Sequence, residues 1–161
     1  MCDTMAATRK LKGYQTKLLD AAKEAMERAY NPYSKFFVGS ALLTKSGQII
    51  TGSNFENASY GNTICAERSA LVRANAMGHR EFRAVAVIAK AENSDTEIPT
   101  APCGACRQML FEASQISRND LEVIMSNTKM SRINIMKISK LLPLAFGPKD
   151  MGVNLKRYGN A

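Results

Sequence analysis

TICAERSALVRANAMGHREFRAVAVIA, residues 63 to 89, holds the transition that decides the fold. Its first half predicts a helix from Thr63 to Met77, with Thr63 as the N-cap and Gly78 as the C-terminal stop. Its second half, FRAVAVIA at 82–89, is rich in β-forming residues and predicts a buried strand. A helix that runs directly into a buried strand is the repeating unit of an α/β domain.

The flanking sequence extends this pattern. Upstream, YQTKLLDAAKEAMERA at 14–29 sets Leu18, Ala21, Ala22, Ala25 and Ala29 on one helical stripe. NPYS at 31–34 stops that helix, because Pro32 disfavours the helical conformation at Asn31. FVGSALLT at 37–44 and QIITGSNF at 48–55 read as strands, with Gly47 supplying the hairpin turn. Downstream, the polar stretch 91–101 reads as a loop, and Pro102 opens a helix to about Ser114. LEVIMS at 121–126 and RINIM at 132–136 read as strands, and a short helix at 137–142 leads into LLPLAFGP. The expectation is a three-layer α-β-α sandwich around a mixed sheet of about five strands. It forms one domain over residues 1–161, with its core at 14–150 and flexible or peripheral tails at 1–12 and 149–161.

Composition narrows the function classes. A chain of 161 residues, 45% hydrophobic and 22% charged, suits one globular domain with a substantial core. No apolar run reaches the ~20 residues of a membrane span, and MCDTMAATRK is followed by no secretory stretch. A cytoplasmic location is expected. The net charge of +8 permits attraction to nucleic acid. The basic residues are scattered, however, without a block interleaved with aromatics, which favours a solvated surface.

Of four cysteines, Cys2 lies near the terminus, while Cys65, Cys103 and Cys106 fall at expected helix starts. In PCGACRQ at 102–108, the two thiols three residues apart share a helical face and can grip one ion. The same spacing suits a redox pair. Cys65 shifts the balance to metal, because a third thiol makes a cysteine-only zinc site with one open position, the catalytic type. His79, the only histidine, follows Gly78 at a helix end, where a capping role is expected. Glu67 sits two residues from Cys65, so it does not share its helical face and is poorly placed as a fourth ligand. Bordering the cavity above the metal, its carboxylate can act as general acid and base. Three thiolates leave a zinc site negative, and Arg68, donating to a ligand sulfur, offsets that charge; Arg107 reads either as a second contributor to that offset or as a surface charge alone.

These residues together resemble the cytidine deaminase family in its small, all-cysteine form. The CxE plus PCxxC pattern carries the superfamily signature, with cysteine where histidine is usual. NPYSKFFVGSALL, GSNFENASYGNTICAERSA, PCGACRQ and LLPLAFGP extend the match over roughly residues 14–150. The resemblance implies one Zn²⁺ per subunit on Cys65, Cys103 and Cys106, with Glu67 as proton shuttle. It implies Asn54 and Glu56 at the ribose hydroxyls, Phe36 packed on the pyrimidine, the backbone around Ala66 at the base, and Gln108 as a structural helper. It further implies a homotetramer with sites shared between subunits, Tyr60 near the shared interface, and Phe146 over the base of an adjacent subunit. Phe37 and Ser40 depart from the family pattern, where proline and alanine are common.

The implied activity is hydrolytic deamination of cytidine and deoxycytidine in pyrimidine salvage. Three other readings stand beside it. A deaminase of a cytosine-nucleoside antibiotic such as blasticidin shares CxE and PCxxC but is disfavoured by NFEN and LLPLAF. A deaminase acting on RNA or DNA draws on the net charge. A non-enzymatic structural-zinc module predicts a closed four-ligand site and gives Glu67 no use.

Overall fold

The computed structural model describes residues 11 to 159, so Cys2 and nearly all of the expected N-terminal arm lie outside the described residues. Helix α1 (Gly13–Met26) packs on one face of the sheet through Leu18, Leu19, Ala22 and Met26. It starts where the Lys12 amide donates to Gln15 Oε1 at 2.8 Å, and it ends three residues before the expected Ala29. The early stop has a cause downstream. Tyr30 is drawn into an isolated bridge with Phe55, donating to Asn54 O at 3.0 Å while Tyr30 O accepts from Glu56 N at 2.8 Å.

Strands β1 (Phe36–Thr44) and β2 (Ile49–Ser53) form the expected hairpin. Gly47 takes φ +93° in its turn, where an L side chain would be strained, and the Thr44 hydroxyl accepts from Gln48 N at 2.9 Å. Helix α2 (Ala66–Ala76) leads through Gly78, at φ +85°, into β3 (Phe82–Ala91), as the opening stretch predicted. The N-cap is Cys65 rather than Thr63, because Thr63 stays extended to bond within the 57–63 loop.

The stretch expected as pure loop contains a two-residue strand, β4 (Ser94–Asp95), which folds back on the end of β3. Helix α3 (Gly104–Ser117) starts after Pro102, with Cys103 as N-cap, and runs three residues beyond Ser114. Strands β5 (Glu122–Ser126) and β6 (Ile133–Lys137), helix α4 (Ile138–Leu141), and two 3-10 turns at Pro148–Met151 and Leu155–Arg157 complete the described chain.

The sheet has six strands rather than about five, in the order β2-β1-β3-β5-β6 with β4 beside β3. Only β3 and β5 run parallel; the other pairs are antiparallel. Side chains alternate across it, as period-2 geometry requires. Leu42, Val85, Val87, Val123 and Met125 face α2, α3 and α4. Ala41, Leu43, Ala84, Ala86, Ile88 and Ile124 face α1. Two cores back to back make the three layers, and the N-termini of α2 and α3 come together on the same side of the sheet.

Candidate active site

The three thiols converge because each sits at a helix start. Cys65 caps α2, Cys103 caps α3, and Cys106 lies in the first turn of α3. Their Sγ atoms all lie within 4.8 Å of one another, with Cys65 and Cys103 4.0 Å apart. Sulfurs held about 2.3 Å from one tetrahedral ion stand about 3.8 Å apart, so this donor set fits zinc with little adjustment. Among the described residues no fourth histidine, cysteine or carboxylate joins the cluster. The helix N-termini aim backbone N–H groups and partial positive charge toward the sulfurs.

The thiols do not ionise alike. Cys65 is pulled down to about 5, first by its hydrogen bond with Cys106, against burial, and then by Arg68. Cys106 is pushed up by that same bond with Cys65, by burial, and by the nearby Glu67 charge. Arg68 donates to Thr63 O at 2.6 Å and to Cys65 Sγ at 3.9 Å. Its guanidinium therefore lies against Cys65, whose thiolate it favours. Arg107 departs from the surface-charge reading: it is half-buried, donating from Nε to Pro102 O at 2.8 Å and from NH1 to Leu141 O at 3.1 Å. His79 caps the end of α2, its backbone N–H bonding Ala74 O at 2.9 Å.

Glu67 lies in the first turn of α2 and is only 4% exposed. Burial pushes its carboxyl above the ordinary carboxylate range; a bond to its own backbone N–H opposes this, and the Cys65 charge adds to it. Among the described residues this buried carboxyl has no ion-pair partner, and a carboxyl so perturbed beside a thiol cluster is a candidate for proton transfer.

The second half of the site joins this cluster through the bridge between Phe55 and Ile64, whose amides exchange hydrogen bonds at 2.9 Å. That bridge lays Asn54 and Glu56 alongside the strand entering Cys65. The Asn54 amide is engaged by β1, accepting from Val38 N and donating to Phe36 O, each at 2.9 Å. One lone pair and one N–H remain for a ligand. Glu56 Oε2 accepts from Tyr33 N at 3.0 Å and Ser34 N at 3.1 Å. Burial works to raise this carboxyl, but the Ser34 and Tyr33 bonds and the Lys35 charge outweigh it and hold it below the usual range. Tyr33 and Ser34 hold Glu56 through their amides, whereas sequence reasoning read them as a helix stop and as part of the NPYSKFFVGSALL match, with no role of their own. The signal for them was the fixed turn after Pro32.

Phe36 is half-buried at the start of β1, and Ala66 is fully buried at the start of α2. Tyr60 is 72% exposed with its ring edge-on to Tyr33, centroids 5.7 Å apart. Phe146 is 63% exposed, its carbonyl accepting from Gln108 Nε2 at 2.8 Å. A hollow of about 450 Å³ lined by Phe111, Ser114, Arg118, Asp120 and Lys149 lies toward the other end of α3; it contains neither a thiol nor Glu67.

The chain is similar to known proteins. The profile of the cytidine and deoxycytidylate deaminase zinc-binding region matches residues 13–119, which span both thiol-bearing helices. The chain is 47% identical to a cytidine deaminase of Halalkalibacterium halodurans over 134 residues, 83% of this chain and 95% of that protein. It is 45% identical to one of Sporosarcina psychrophila, over 84% of this chain and 93% of that protein. The crystal structure of cytidine deaminase from Burkholderia pseudomallei superposes with a TM-score of 0.73 at 43% identity, covering 84% of this chain and all of that one. With the family profile, the sequence identities and the fold in agreement, the chain belongs to the cytidine and deoxycytidylate deaminase family defined by that zinc-binding region.

Proposed function

We propose that this chain hydrolyses cytidine and deoxycytidine to uridine and deoxyuridine, releasing ammonia, as a step of pyrimidine salvage in the cytoplasm. The observation that carries this reading is Glu67, buried next to a three-thiol cluster that no fourth metal-ligating side chain joins among the described residues. Zinc, when held by Cys65, Cys103 and Cys106, supplies the Lewis acid that makes water nucleophilic near neutral pH.

Glu67 takes a proton from that water and delivers it to N3 of the cytosine. The water oxygen would bond to C4, its remaining hydroxyl proton would pass through Glu67 to the amine nitrogen, and the C4–N4 bond would break, leaving the C4 carbonyl and ammonia. A carboxyl raised by burial suits both transfers, because its affinity for the proton lies nearer the working pH. Arg68 offsets thiolate charge from beside Cys65.

Glu56, with Oε2 fixed by two backbone amides, offers Oε1 to a ribose hydroxyl, and Asn54 offers its remaining N–H. Phe36 packs on the pyrimidine, and the backbone at Ala66 meets the base edge. The functional unit is a homotetramer in which Tyr60 lies near a shared interface and Phe146 covers the base of an adjacent subunit. Exposed Tyr30, Tyr33, Phe55, Tyr60 and Ile64 beside the site support this assembly, since a contiguous apolar patch favours a covering partner.

The test is ultraviolet absorbance of the zinc-loaded protein with cytidine, deoxycytidine, cytidylate, blasticidin and a short cytosine-containing oligonucleotide. Turnover of the first two supports the proposal. Turnover of the oligonucleotide alone, with salt-dependent binding, overturns it in favour of a polynucleotide substrate.

A further inference from the structure

Consecutive residues of α3 serve different neighbours. Cys106 turns into the thiol cluster, while Arg107 and Gln108 reach out to the segment that carries Phe146. Arg107 NH1 donates to Leu141 O at 3.1 Å, and Gln108 Nε2 donates to Phe146 O at 2.8 Å. One turn on, the Phe111 ring meets the backbone so closely that a Cβ at Gly147 would lie 2.7 Å from its Cε1. Positions 107, 108 and 111 share one side of the helix. That side grips both ends of residues 141–147.

Between those grips the segment has little of its own to hold it. Leu144 takes φ +55° and is fully exposed, and Phe146 is largely exposed. Among the described residues, the Gln108 amide makes the one side-chain hydrogen bond that reaches residues 143 to 146, where the backbone makes only a turn at 143–144. The bond ends on the carbonyl of the residue whose ring projects outward, so it holds no core together. It does fix where that ring stands relative to α3, whose first turn is set by the thiols.

We propose that Gln108 is a positioning residue for Phe146, with Arg107 bracing the other end of the same segment, so that the metal-bearing helix sets the placement of the ring against the pyrimidine. This rests on the reading that Phe146 covers the base. An aromatic ring packed on the base contributes about equally to substrate and transition state, so misplacing it acts on KM rather than kcat.

The test compares Q108M, which keeps the side-chain volume and removes the donor, with Q108K, F146A and the double variant Q108M/F146A. One net hydrogen bond corresponds to about a fivefold rise in KM for cytidine in Q108M, with kcat and zinc content unchanged. Q108K, which restores a donor of similar reach, recovers most of the loss. F146A raises KM further, and adding Q108M to F146A changes nothing more. An unaltered KM in Q108M alongside an impaired F146A overturns the positioning role alone. An unimpaired F146A overturns the reading of Phe146 and the proposal with it. Additive effects in the double variant, or loss of zinc from Q108M, overturn the proposal by placing the role of Gln108 elsewhere.

Discussion

A methyl group at Gly52 would lie 2.4 Å from the Ala70 amide nitrogen and 2.7 Å from the Ala66 carbonyl oxygen. The helix that carries Glu67 therefore rests on bare backbone of β2, and both close neighbours are main-chain atoms that cannot swing aside. G52A is expected to push α2 outward, costing about 2–3 kcal/mol in denaturant unfolding, the scale of overpacking. Turnover should fall as well, because the displacement acts on the first turn of α2.

Zinc removal should destabilise the fold, because the ion ties α2 to α3 and the unfolded chain offers no preformed site. Chelation is expected to lower Tm, with free zinc at a thousand times its Kd corresponding to about 4 kcal/mol. C103S and C106S should each lose bound zinc and show the lowered Tm without chelator. Calorimetry with metal analysis reads both.

Glu56 should carry a pH signature. Its carboxyl is held below the ordinary range because, although burial acts to raise it, the Ser34 and Tyr33 hydrogen bonds act more strongly to lower it. A depressed carboxyl contributes stability that is present above its unfolded value and is lost as pH falls through the folded one. Wild type should therefore exceed E56Q in urea stability at neutral pH, with the gap closing as pH drops below about 4. In the proposed reaction E56Q should also raise KM for cytidine at least about tenfold, the scale of a charge-assisted hydrogen bond.

Legibility in the sequence followed the range of the interactions. The body of the helix expected at 63–77, the strand at 82–89, the hairpin and the Cys103–Cys106 pair are readable because periodicity, a glycine at positive φ and a three-residue spacing are local signals, whereas Cys65 joins that pair from 38 positions away. The α1 terminus was misplaced because Tyr30 pairs with Phe55, 25 positions on, and nothing between them marks that bridge. Strand β4 is two residues long and exists only as a pairing with Lys90 and Ala91. Thr63 looked like a cap, yet its hydroxyl accepts from Asn57 N at 3.2 Å, leaving Cys65 to begin the helix. Arg107 carried no sign that its partners would be carbonyls at Pro102 and Leu141, since the second lies 34 residues away.

The central claim is that Glu67 moves protons at a metal held by the thiols alone. E67Q tests it most directly, because the amide keeps the shape of the side chain and cannot act as a base. The purified variant should retain one zinc per chain with an unchanged Tm while turnover of cytidine falls at least about a thousandfold, within the 10²–10⁴ range of general acid–base catalysis. Turnover within about tenfold of the wild type would contradict the account, and so would loss of zinc, which would make Glu67 a ligand.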